Sequence, residues 1–202
     1  MNALTVQPEV LNGDATAPLI ILCEHASNHV PESYQKLGLS DDDLEKHIAW
    51  DIGAADVTRK MCEMMGVPAV LGTVSRLLID PNREPDHPTL VPMVSDGITV
   101  PANLDLPPSA IAARRHSIYE PFHAAADALI ERHLAEGIVP LIAGMHSFTP
   151  VMNDEARPWQ VGFLWNKDPR LAQAMIGLLE RETDLTVGDN QPYSVRELYY
   201  PM

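Results

Sequence analysis

Two short apolar runs, each leading into a histidine, constrain this chain more than any other feature. Residues 18 to 24 carry Leu19-Ile20-Ile21-Leu22-Cys23-Glu24 up to His25, and residues 138 to 145 carry Leu141-Ile142-Ala143-Gly144-Met145 up to His146. Runs that are apolar at successive positions suit strands covered on both faces, as in a parallel sheet. Helical patterns lie between and after them. Ser40 caps a helix predicted over 41 to 64, with Asp41, Asp42 and Asp43 in its first turn and Gly66 as its stop. Residues 67 to 71 and 73 to 80 read as two short strands or one bent one. Residues 81 to 108 hold seven prolines and predict a long loop with room for a small hairpin. A second helix is expected from near Pro107-Pro108-Ser109 to Glu136, bent at Pro121, with Ile111, Ile118, Phe122, Leu129, Ile130 and Leu134 as its buried stripe. A strand at 159 to 165, a helix at 168 to 182 and a short strand at 185 to 187 complete the pattern. This alternation predicts an α/β fold, a three-layer α/β/α sandwich about a mixed, mostly parallel sheet, in a single domain over 1–202.

Composition narrows the partners. The formal net charge is −14, from 14 Lys+Arg against 28 Asp+Glu, which leaves no basic footprint for nucleic acid or an anionic membrane. A small molecule is the expected substrate, and oligomeric state is left open. No apolar run nears the roughly 20 residues that span a bilayer, and the first residues are neither basic nor strongly hydrophobic. A cytoplasmic protein is expected. Cys23 and Cys62 are read as reduced thiols without a chemical role.

In an open α/β sheet, polar groups just past the carboxyl ends of neighbouring strands share one crevice. His25 and His146 then meet there, and paired imidazoles suit zinc. Either alone also fits an ordinary strand-end residue bonded to backbone. Asp51 lies seven residues after Leu44, along the edge of the stripe Leu44, Ile48, Ile52 and Ala55, so its carboxylate borders the buried face. Two histidines and one carboxylate, with water in the fourth place, form a catalytic zinc set. Asp51 paired with an arginine is the alternative, and Glu24 is a rival ligand, though strand alternation turns it away from His25 unless the strand has already ended there. Arg76, Asp80, Asn82 and Arg83 form a second group, where a guanidinium fork can hold a substrate carboxylate; Arg76 with Asp80 equally suits a pair that stiffens the turn. Tyr119 and His123, at i and i+4, share a helix face from which they can orient substrate or back a metal ligand, or simply join the core.

Several segments occurring in order carry a resemblance. Cys23-Glu24-His25-Ala26-Ser27-Asn28-His29-Val30-Pro31, His47-Ile48-Ala49-Trp50-Asp51-Ile52-Gly53, Ser75-Arg76-Leu77-Leu78-Ile79-Asp80-Pro81-Asn82-Arg83, Gly144-Met145-His146-Ser147-Phe148-Thr149-Pro150 and Gly188-Asp189-Asn190-Gln191-Pro192-Tyr193-Ser194 together resemble the N-formylglutamate amidohydrolase family. The resemblance implies hydrolysis of an N-acyl amino acid, typically N-formyl-L-glutamate to formate and L-glutamate in histidine degradation. It also implies a fold similar to zinc carboxypeptidases. It assigns zinc binding to His25 and to His146 with Ser147 beside it, and the substrate carboxylate to Asn82 and Arg83. Where the carboxypeptidase pattern has Glu three residues after the first histidine, this chain has Asn28, so Asp51 is expected to supply the carboxylate. The family's acidic residue in a later Glu-Ile-Arg-like stretch is expected beyond Tyr200-Pro201-Met202, in a part of the domain that this sequence lacks, or its role is met differently. A catalytically silent relative that binds an acyl amino acid is the alternative function.

Overall fold

The computed structural model describes residues 5–152 and 155–193. These fall into two compact units, Met1–Ser147 and Phe148–Met202. The first is built on a four-stranded sheet of β1 (Glu9–Leu11), β2 (Leu19–Cys23), β3 (Ala69–Leu71) and β6 (Leu141–Gly144). Its order is β1-β3-β2-β6. β2 runs parallel to both neighbours, whereas β1 pairs antiparallel with β3 at the edge. The sheet is therefore mixed.

Both faces of β2 are covered, which is why its sequence shows no polar alternation. Ile21 and Cys23 pack with Ala69 and Leu71 against Ala54, Ala55 and Cys62 of α2 (Ala54–Met65). Ile20 and Val70 face the other way, onto Phe122, Ala126 and Leu129 of α4 (Glu120–Ala135). Both thiols are free and buried, and burial pushes the Cys23 thiol up to about 12 despite a hydrogen bond from Thr58 that opposes it.

The helix expected over 41 to 64 is two helices. Ser40 and Asp43 form a reciprocal capping box at the start of α1 (Asp41–Leu44), which then gives way to turns until α2 begins. Long-range bonds win over helix continuity here. Ala49 gives its carbonyl to the Arg76 amide and the Ser75 hydroxyl, and the Asp51 amide donates to the His25 carbonyl at 2.9 Å. Gly53, at φ 83°, makes the left-handed turn into α2.

Residues 73 to 80 are not a strand. They form buried turns, and Leu77, Leu78 and Ile79 fill a separate apolar cluster with Leu37, Ile48, Val100 and Ile118. The loop after them contains a tight hairpin, β4 (Val94–Ser95) and β5 (Ile98–Thr99). The second long helix starts as α3 (Pro108–Arg114) and passes through one π turn, Arg115–Tyr119, before α4. The π turn lies just ahead of Pro121, which has no amide proton to give. Beyond it Phe122 and Leu129 are buried as expected, with Ala126 and His133 beside them, while Leu134 is 52% exposed.

In the second unit, β7 (Val151–Met152) and β8 (Glu155–Ala156) form a hairpin. β9 (Val161–Phe163) and β10 (Val187–Asp189) pair in parallel through α5 (Arg170–Glu182). Ser194 and the terminal Tyr200-Pro201-Met202, with the expectations attached to them, lie outside the described residues.

Candidate metal centre and carboxylate-binding loop

Three adjacent parallel strands deliver the site. β2 ends at Cys23 and β6 at Gly144, so His25 and His146 each follow their strand by two residues, and their ring centroids lie 5.1 Å apart. From the end of β3 the chain continues to Arg76 and Asp80. Gly72 makes this convergence possible: a Cβ there would sit 2.1 Å from the Glu24 carbonyl oxygen.

His25, Asp51 and His146 form a group whose ligand atoms all lie within 4.8 Å of one another, so they can hold a metal ion. His25 is 1% exposed and Asp51 6%. The Nδ1 atoms of both rings face the same oxygen, Asp51 Oδ2, at 3.5 Å from His25 and 2.9 Å from His146. Asp51 also accepts the Ser147 amide at 3.2 Å. Ser147 thus joins the site through its backbone. On the far side, His25 Nε2 lies 2.7 Å from Asp80 Oδ1. Such a carboxylate behind an imidazole is the arrangement that orients metal-binding histidines. The donor set fits a divalent cation. Arg76 stands in the same space, with one guanidinium nitrogen 3.1 Å from His25 Nδ1 and the other donating to Asp80 Oδ2 at 2.8 Å, so a cation bound there requires the first nitrogen to withdraw.

A sequence model described as FGase, N-formylglutamate amidohydrolase, matches residues 17–200. The chain belongs to the N-formylglutamate amidohydrolase family. A gene product of Agrobacterium tumefaciens with a solved crystal structure shares 37% identity at a TM-score of 0.90, over 95% of this chain and 75% of that one. No curated protein matches the sequence.

In this N-formylglutamate amidohydrolase family member the charges are set by mutual compensation. Burial raises the pKa values of Asp51 and Asp80, yet the hydrogen bond from His146 and the His25 imidazole close to Asp51, and the charges of His25 and Arg76 beside Asp80, overcome it and hold both carboxyls well below their usual range. Burial and Arg76 oppose protonation of His25, but Asp80 and Asp51 outweigh them and its pKa is raised.

The other expected residues lie around this centre with different duties. Asn82 Nδ2 is 3.4 Å from His146 Nε2. The Arg83 Nε donates to Thr89 Oγ1 at 3.2 Å and lies 3.9 Å from Asp80. Tyr119 and His123 reach the same loop through its backbone: the Tyr119 hydroxyl donates to the Arg83 carbonyl at 2.9 Å, and His123 Nε2 to the Pro81 carbonyl at 3.0 Å. They fix the loop that carries Asn82 and Arg83. Asn28 is occupied elsewhere, donating to the Leu44 carbonyl. Glu24 is 6% exposed, and its Oε2 lies 3.6 Å from His146 Nε2. Asp80 as the partner of His25 was missed by sequence reasoning, which saw only its spacing from Arg76. Its signal was an aspartate closing a buried apolar run.

Proposed function

We propose that this protein is a zinc-dependent amidohydrolase that cleaves the amide of an N-acyl amino acid, with N-formyl-L-glutamate giving formate and L-glutamate as the preferred reaction. The observation that carries this reading is the convergence of two imidazole Nδ1 atoms on one buried carboxylate at the ends of adjacent parallel strands. His25, Asp51 and His146 would hold the metal. Zinc bound by such donors supplies Lewis acidity and lowers the pKa of a coordinated water to about 7. Asp80 keeps His25 oriented, with its Nε2 proton directed away from the centre. Asn82 and Arg83 would bind the substrate carboxylate, and Arg76 adds positive charge where the anionic ligand approaches. Because Tyr119 and His123 hold the backbone at residues 83 and 81, they would set the distance between that carboxylate and the scissile amide.

The sandwich architecture and the likeness to zinc carboxypeptidases belong to the same reading, supported by α2 and α4 packing on opposite faces of the sheet. So do one functional domain across both units and a place in the cytoplasm. Among the described residues no helix is long and apolar enough to cross a membrane.

Formate release from N-formyl-L-glutamate by purified, zinc-loaded protein tests the proposal. Turnover that disappears with chelation and returns with zinc supports it. Thermal stabilisation by the substrate without any formate would instead mark a binding protein.

A further inference from the structure

Glu24 is buried beside His146. Its Oε2 is the buried side-chain oxygen that lacks a hydrogen-bond partner among the described residues, in a side chain only 8% exposed. A carboxylate oxygen taken from water and left unbonded is costly, so its position calls for a donor. The sheet register shows which donor is aimed at it. β2 and β6 pair in parallel with Leu22 beside Gly144, and the Met145 amide still donates to the Leu22 carbonyl at 2.7 Å. Carried past the strand ends, that register sets Glu24 beside His146. The nearer imidazole nitrogen is Nε2, at 3.6 Å.

The two histidines thereby share a pattern. Their Nδ1 atoms converge on Asp51, while their Nε2 atoms diverge, that of His25 toward Asp80 and that of His146 toward Glu24. A metal on Nδ1 forces the ring proton onto Nε2, which then needs an acceptor. Asn82, half-buried, offers its amide nitrogen to the same atom at 3.4 Å, and an amide N–H is a donor that cannot accept a bond from a protonated Nε2. Glu24 is buried, and its Oε2 has no hydrogen-bond partner among the described residues.

We infer that Glu24 is a positioning residue for His146: in the metal-loaded protein its carboxylate accepts the Nε2 proton and fixes the ring with Nδ1 toward the metal, and it is not itself a ligand. The inference rests on the proposed metal centre. It predicts different behaviour from two substitutions. Glu24→Ala removes the acceptor, whereas Glu24→Gln keeps an acceptor oxygen and loses only charge.

Zinc affinity by competition with a chromogenic chelator, together with long-range 1H–15N spectra of the zinc-loaded protein, tests it. Glu24→Ala should weaken zinc about 10- to 100-fold, Glu24→Gln should stay close to wild type, and the wild-type spectrum should show His146 coordinated through Nδ1 and protonated on Nε2. Glu24→Gln and that spectrum together keep the inference open to refutation even if Glu24→Ala does not fold. Unchanged affinity in Glu24→Ala, Glu24→Gln as weak as Glu24→Ala, or His146 coordinated through Nε2 would each overturn the inference while the metal centre stands. Wild-type protein that binds no zinc would overturn the metal centre, and the inference with it.

Discussion

The two halves of the candidate centre differ in how completely the protein itself satisfies them. Around His25 every charge is matched inside the fold: Asp80 takes its Nε2, Arg76 bridges Asp80 to its Nδ1, and both His25 and Asp80 are almost wholly buried. Around His146 the fit is looser. Its side chain is 35% exposed, and its Nε2 faces Glu24 and Asn82 at 3.6 and 3.4 Å. The lesson is that one half is built as part of the core and the other is left open to a ligand. Residues in the first half should show their loss in folding, and residues in the second should show it in binding.

His146→Ala gives the largest separation between the two. It should abolish zinc retention and formate release while costing about 1–3 kcal/mol of stability, because Asp51 loses its bond from His146 but keeps the Ser147 amide, checked by metal analysis, activity assay and urea denaturation. Full activity with zinc retained would break the comparison outright. Asp80→Ala should do the reverse in kind, costing about 3–5 kcal/mol because it strands His25 and Arg76 beside an emptied partner; equal urea midpoints for this variant and wild type would contradict the buried half. Next in size is Arg83→Ala, which should raise KM by roughly 10- to 100-fold, the scale of a lost charged hydrogen bond, with kcat little changed. A fall in kcat at constant KM would move Arg83 from anchoring to chemistry.

The pH dependence of the chelated protein sharpens the comparison further. Asp80 has a folded pKa below its ordinary 3.8, so its stabilisation is present above that value and is lost as the pH falls toward the folded pKa. His25 has a folded pKa raised above 6.5, so its stabilisation is present below 6.5 and is lost as the pH rises through the folded value. Stability without metal should therefore peak between about pH 4 and 6.5. Urea midpoints that do not vary over that range and beyond would contradict the coupling. The smallest effect is expected at Cys23, whose raised pKa and burial should keep it unmodified by a thiol reagent at about pH 8 until the protein unfolds.

What the sequence made legible was local. An apolar run that stops at a polar residue marks a strand end, so His25 and His146 were recognisable, and their adjacency followed from parallel pairing. The helix break between Leu44 and Ala54 was not recognisable. Leu44 and Ile48 keep helical spacing and are both buried, but bonds from Asp51 to His25 and from Arg76 and Ser75 to Ala49 decide the backbone, and these come from residues distant in the chain. Asp51 consequently arrives beside His25 in a turn rather than on a helix face. In the second helix Phe122 and Leu129 hold the expected buried side beyond the π turn, but His133 rather than Leu134 completes it; that imidazole has its ring nitrogens 2.7 and 3.0 Å from the Leu129 and Ala17 carbonyls. Tyr119 and His123 were recognised as sharing a helix face, while their grip on the backbone of the Pro81–Arg83 loop needed tertiary contacts to reveal it.

A zinc-edge anomalous difference map from crystals of the zinc-loaded protein would locate the metal itself. One strong peak is expected within bonding distance of His25 Nδ1, the Asp51 carboxylate and His146. A peak elsewhere, or no peak at that position, would contradict the metal centre.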